Sequence, residues 1–187
     1  MIAYQKEKIE NAICFFASEH KKRTKKPLYQ IFLYKYLAFL DFKSLEETGH
    51  PALGLKYLAM EKGPVPIEIY EARKFLSTDC YEFKNIEENK FIIVSKAQPN
   101  LDYFSPYEIG KMRELIEIYA DSFVTASDVS QTSHEIKAWQ KAWKKKPNSV
   151  IDFGLAFDND IEKKDPRNLS AAEENFLIYK ATENPNN

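Results

Sequence analysis

The chain predicts a mainly α, α+β fold: a single compact helical domain carrying a small antiparallel β-hairpin. Three observations carry that prediction. Long stretches in the first third repeat their apolar residues at helical spacing. Two short apolar runs, Tyr81-Glu82-Phe83 and Phe91-Ile92-Ile93-Val94, flank the polar turn Asn85 to Lys90, which is the pattern of a hairpin. Glycine is scarce, five in 187 residues, which argues against a sandwich or barrel full of tight turns.

In chain order, Gln5 to Glu19 reads as a helix through Ile9, Ala12, Ile13 and Phe16. His20 to Lys26 reads as a basic loop. Pro27 then opens a second helix that runs to about Glu47 and ends near Gly49. Leu28, Ile31, Phe32, Leu37 and Leu40 mark its inward face, and Tyr29, Tyr34, Tyr36 and Phe39 widen it. A helix apolar almost all round belongs at the centre of a fold. Leu53 to Met60 fits a strand or a short helix equally well. Gly63-Pro64-Val65-Pro66 reads as a rigid corner: Pro64 lacks an N–H, Gly63 tolerates unusual φ, and Pro66 suits the first turn of a helix reaching Leu76. Such a corner has too few free N–H groups to cradle phosphate, so it is architecture rather than chemistry.

After the hairpin, Ser105-Pro106-Tyr107-Glu108 has the capping residue, the first-turn proline and the returning carboxylate of a helix start. Ile109, Met112, Leu115, Ile116 and Tyr119 supply its buried face. Thr125-Ala126-Ser127-Asp128 is a second capping box, and a further helix from near Ser133 carries Ile136, Trp139 and Trp143 before Lys144-Lys145-Lys146-Pro147 closes it. Ile151 to Phe157 is short and apolar. The polar, acidic stretch Asp158 to Asn168 links it to an amphipathic helix from Leu169-Ser170 that carries Phe176, Leu177 and Tyr179. Glu183 to Asn187 should fray. The division expected is a domain over residues 1–157 and a linker plus tail over residues 158–187.

A net charge of −1 gives no global bias toward nucleic acid. The charge is uneven, with basic runs at His20 to Lys26 and at Lys144 to Lys146, which read as solvated faces or as contacts for acidic partners. Cys14 and Cys80 have no Cys-x-x-Cys partner. No secretory h-region and no membrane-length apolar run is visible, so a reduced, cytoplasmic protein is expected.

Candidate chemistry is thin. His20, His50 and His134 form no metal-ligand pattern. A Cys80–His134 nucleophile pair would need the fold to bring the two together. His134 reads as a structural residue satisfied by a carbonyl or carboxylate. Glu61, Glu68 and Glu71 have no spacing that demands acid–base work. Asp41 stands out, because a carboxylate on an apolar helix needs an internal partner. Trp139 and Trp143 read as core and rim aromatics. These residues indicate no enzyme and no cofactor or metal.

Several pieces in order carry a more specific signal: Tyr34-Lys35-Tyr36-Leu37-Ala38-Phe39-Leu40-Asp41; Thr48-Gly49-His50-Pro51; Gly54-Leu55-Lys56-Tyr57-Leu58-Ala59-Met60; Gly63-Pro64-Val65-Pro66; Pro99-Asn100-Leu101-Asp102-Tyr103-Phe104-Ser105; and Thr132-Ser133-His134 followed by Trp139. Together they resemble the Panacea domain, the SocA-like antitoxin family, over roughly Lys6 to Phe157. Ser133 departs from the family's habit of running Thr directly into His, and the segment after Phe157 has no counterpart. The resemblance implies an antitoxin that neutralises a cognate protein toxin by direct association, with a protease as a further partner where members act as adaptors. It marks Tyr36, Asp41, Gly54, Tyr57, Gly63, Pro64, Val65, Pro66, His134 and Trp139 as structural or partner-binding positions. The competing reading is a winged-helix-like DNA-binding regulator built on Ile67 to Val94. Against it, the helix carries a mixed set, Glu68, Glu71, Arg73 and Lys74, and the hairpin adds Glu82, Glu87 and Glu88, which would repel phosphate.

Overall fold

The computed structural model of the chain describes residues 2–157 and 161–183. The start of the expected linker, residues 158–160, and the end of the expected frayed terminus, residues 184–187, lie outside the described residues. The fold is α+β and mainly α, with seven α-helices among the described residues.

Helix α1, Gln5–Thr24, runs five residues beyond the expected end and absorbs most of the basic stretch read as a loop. The reason is His20, which turns inward at 4% exposure and meets the Tyr36 hydroxyl through Nδ1 at 2.9 Å. Lys25, at φ +62°, ends the helix and donates its N–H to the Lys21 carbonyl. Pro27 does not open the second helix. Leu28–Tyr29 first form a short strand, β1, whose residues pair with Ile93 and Ile92. Helix α2, Gln30–Thr48, then ends at Gly49, φ +83°, as the sequence indicates.

The ambiguous segment resolves as a strand: β2, Tyr57–Met60, pairs antiparallel with β3, Gly63–Pro66. The Gly-Pro stretch is therefore a strand, and the turn lies at Glu61-Lys62. Two prolines are tolerated because β3 is an edge strand. The other edge of β2 is occupied: Ala59 N–H donates to Ser149 O, Asn148 N–H to Ala59 O and Ile151 N–H to Tyr57 O, each at 2.8 Å. Pro66 precedes rather than enters α3, Ile67–Ala72, which spans only six residues and falls short of the expected end at Leu76. Strands β4, Tyr81–Glu87, and β5, Lys90–Ser95, form the expected hairpin, and β1 extends it to a sheet of order β1-β5-β4.

Helices α4, Pro106–Tyr119, and α5, Ala126–Ser133, start at the capping boxes of Ser105 with Glu108 and Thr125 with Asp128. Ser133 ends α5, so α6, Lys137–Lys145, begins later than the sequence suggests. A 3₁₀ turn at Phe153–Ala156 leads toward α7, Ala171–Glu183. Helix α2 is the axis of the core. It is buried on every side from Phe32 to Phe42, with α1, α4, α5, α7 and β3 packed around it.

The last helix rests on its own chain. Ser170 and Glu173 cap its start reciprocally, and Lys164 bonds the same Glu173 carboxylate. Asn175 donates to the Thr48 carbonyl at the end of α2. Phe176, 3% exposed, packs on Phe157 with ring centroids 5.0 Å apart. A Cβ on Gly49 would overlap the Ala172 carbonyl, so the glycine that ends α2 also admits α7. Replacing a buried phenylalanine by alanine removes its transfer energy and leaves a cavity. Phe176→Ala should therefore cost about 3 kcal/mol in urea unfolding. A loss under about 1 kcal/mol would mean that α7 contributes little to the folded state.

Candidate functional site

The residues marked by the sequence, Tyr36 apart, fall into two linked clusters along α2. The first is built on Asp41, fully buried. Its carboxylate accepts N–H bonds from Leu53 at 2.5 Å, Gly54 at 3.0 Å and Leu55 at 3.1 Å, and the Tyr57 hydroxyl at 2.8 Å. Three successive amides converge because the loop coils around the carboxylate, with Gly54 at φ +66°. A side chain there would collide with Ile2. Burial raises the Asp41 carboxyl to about 6, and the four donors hold it below what burial alone would impose. The internal hydrogen bonding expected for Asp41 is thus present, and Gly54 and Tyr57 are its partners.

The second cluster sits where α2, the β2–β3 hairpin, α5 and α6 meet. Lys35 on α2 is 2% exposed and donates from Nζ to the Pro64 carbonyl at 3.2 Å. Burial lowers its ammonium group to about 7. Gly63 has φ +94°, and a Cβ there would overlap the Ser133 hydroxyl and lie 2.7 Å from Lys35 Nζ. Ser133 is itself buried and donates to the Ser130 carbonyl. Trp139 Nε1 donates to the Met60 carbonyl at 3.0 Å, tying α6 to the hairpin. The His134 ring stacks on Trp139 at 4.2 Å and 4°, and Trp139 stacks on Trp143 at 5.7 Å and 11°. Contrary to expectation, His134 Nε2 is buried with no hydrogen-bond partner among the described residues, and the ring is held by its stack on Trp139. Outside this stack, Glu61, Lys62, Ser127, Gln131 and His134 line an open cleft of about 540 Å³.

Val65 and Pro66 complete β3 opposite Leu58 and Tyr57 and belong to the same hairpin. Tyr36 lies elsewhere on α2, stacked on Phe16 at 4.7 Å and bonded to His20. Burial lowers the His20 imidazole to about 4, which keeps it neutral. Cys80 lies beside Cys14, whose Sγ contacts the Cys80 carbonyl, while His134 sits against Trp139, so the structure does not assemble a Cys80–His134 pair. Sequence reasoning missed Lys35, Ser133 and His20 as inward-facing groups. For Lys35 the signal was the one that singled out Asp41: a charge on a helix apolar all round. Among the described residues, no group of three or more His, Cys, Asp or Glu side chains is placed to hold a metal ion, and no helix is long and apolar enough to cross a membrane.

The family profile described as antitoxin SocA-like, Panacea domain matches residues 33–140, more than half of the chain. The match takes in Asp41 and its partners, Lys35, Gly63, Ser133, His134 and Trp139, and stops before Trp143. No curated protein and no solved structure matches the chain.

Two measurements probe these clusters. The folded chain holds the Lys35 ammonium group at about 7, below the value near 10.4 of an exposed lysine. The unfolded chain therefore binds more protons between those values, and stability rises with pH through that window. Urea unfolding at pH 7 and pH 9 should show a gain of about 1–2 kcal/mol that Lys35→Met abolishes. Equal pH dependence in the two proteins would show that Lys35 ionises freely. Gly63→Val combines a forbidden φ with the overlap on Ser133, and should cost about 3 kcal/mol or more. A valine variant as stable as the parent would show that the frame does not need Gly63, and only if it were also inactive would Gly63 belong to a contact surface.

Proposed function

The chain belongs to the antitoxin SocA-like Panacea domain family, and from that premise we propose that it neutralises a cognate protein toxin by binding it directly. The family match is the observation that carries this reading. The chemistry of the two clusters supports it. Asp41 gives its carboxylate to four internal donors, Lys35 gives its amine to Pro64 and Ser133 gives its hydroxyl to Ser130. Side chains used in this way build a frame; they are not poised to abstract a proton or attack a substrate. The work of such a protein is done by surfaces that its frame presents. We place that work in the cytoplasm, a setting with which the free thiols of Cys14 and Cys80 agree.

The DNA-binding alternative has less to stand on. Its would-be recognition helix, α3, is six residues long and carries Glu68 and Glu71. The hairpin behind it is joined through β5 to β1 and packs on α1.

Co-expression tests the proposal. The open reading frame beside this gene should arrest growth when induced alone, and growth should resume when this chain is induced with it. Recovery with undiminished toxin levels indicates neutralisation by association, and recovery with a shortened toxin lifetime indicates delivery to a protease. Arrest that this chain does not relieve, with both proteins soluble, overturns the reading.

A further inference from the structure

We propose that the groove between the end of α1 and the start of α5 is the docking site for an acidic segment of the partner protein, anchored in it by an aromatic side chain. This deepens the neutralisation proposed above and rests on it.

The groove encloses about 380 Å³. Its lining is largely apolar, with Pro27, Tyr29, Phe32, Phe91 and Val124 facing the space and His20 at the back. Burial keeps His20 neutral, so that wall adds no charge. A concave apolar site with a few polar groups at its mouth is the usual form of a pocket for a large side chain. One lip carries an aromatic group in water. Phe123 is 90% exposed and stands between Ser122 and Val124, both of which line the groove. It is not on a loose strand of chain, because its N–H donates to Asp121 Oδ1 at 2.9 Å in a turn that presents the ring outward. Aromatic residues held at the edge of an apolar pocket are the usual anchors of protein interfaces.

Charge selects the occupant. Lys21, Arg23, Lys25 and Lys26 are all exposed on the last turn of α1 and its exit, with Lys26 itself at the groove mouth. Among the described residues, Lys21, Arg23 and Lys26 have no ion-pair partner, whereas nearby Lys22 pairs with Glu19 and Lys90 with Glu87. The carboxylate on the groove itself is Asp121. Basic groups therefore exceed acidic ones at this end, which favours a negatively charged segment and repels a basic one. A nucleic-acid backbone satisfies the charge but leaves the apolar floor of the groove unfilled, which an acidic segment with an aromatic side chain does not. The chain's own last helix is not the occupant. It docks at Thr48 and Gly49, the far end of α2, while the groove lies at Gln30 to Phe32, about 25 Å away along the helix axis.

The test uses random peptides displayed on phage and selected on the full chain, followed by anisotropy with the selected peptides, labelled, at physiological salt. The selected peptides should be rich in Asp and Glu around one aromatic residue. Their affinity should fall about tenfold for the double variant Lys21→Glu, Lys26→Glu and again for Phe123→Ala. The double variant Lys144→Glu, Lys145→Glu, which alters the other basic run, should bind as the parent does. All of these positions are exposed, and unchanged thermal unfolding will show that the variants fold. Peptides without acidic residues, affinities indifferent to the groove variants, or displacement of peptide by a short DNA duplex at the same salt would each overturn the proposal. The growth assay keeps the two readings apart. Peptide binding as described without rescue from the toxin would sink neutralisation and keep the docking surface. Rescue by the groove variants equal to that of the parent would sink the docking surface and keep neutralisation.

Discussion

The fold hangs on the Asp41 carboxylate. A fully buried carboxylate is costly unless donors surround it. Here three consecutive backbone amides and a tyrosine hydroxyl do so. The exchange works in both directions. The donors make burial of the charge tolerable, and the charge holds a loop that would otherwise have three unsatisfied amides inside the protein. Because Leu53, Gly54 and Leu55 are held at α2, β2 begins at a set place and in a set direction. The hairpin, α3 and the later pairing of β2 with residues 148–151 follow from that start.

Lys35 repeats the device six residues earlier on the same helix. Its amine meets the Pro64 carbonyl on β3, while Asp41 meets the loop that leads into β2. One helix thus holds the hairpin at two points with groups of opposite charge. The contacts are unequal. Asp41 has four partners, whereas the one hydrogen bond described for Lys35 is to a carbonyl, and burial lowers its ammonium group to about 7. Around Lys35 the packing is tight enough that Gly63 has no room for a side chain. Trp139 closes the unit from the far side through Met60.

Much of this was legible in the sequence. The capping boxes at Ser105 and Thr125, the hairpin from Tyr81 to Val94 and the helix end at Gly49 are local signals, and each formed where local chemistry placed it. The misreadings have a common physical origin. His20 to Lys26 looked like a loop because its charges are dense, yet His20 had a buried partner in Tyr36 that no local pattern reveals. Pro27 looked like a helix start because prolines favour that position, but an open sheet edge at β5 took Leu28 and Tyr29 first. Gly63 to Pro66 looked like a corner because prolines break ladders, but an edge strand has one side that needs no N–H. In each case a contact distant in sequence overruled a local preference. Asp41 was legible as a buried charge needing a partner. Lys35 carried the same signal and was hidden among aromatic neighbours.

The inward turn of the marked residues has a consequence for how such a protein recognises another. Asp41, Gly54, Tyr57, Gly63 and Pro64 are occupied with one another or with the backbone, so replacing any of them acts first on the frame. Recognition has to be written in residues that the frame leaves exposed, and those residues have little to do with holding it together. Phe123 and the cations at the end of α1 are of this kind: well placed by the frame, accessible and spare. Substitution at such positions seldom costs much stability. A fold arranged in this way can keep its interior unchanged while its rim is altered to suit a different partner. That division between an interior that specifies structure and a rim that specifies contacts follows from where the polar groups are used.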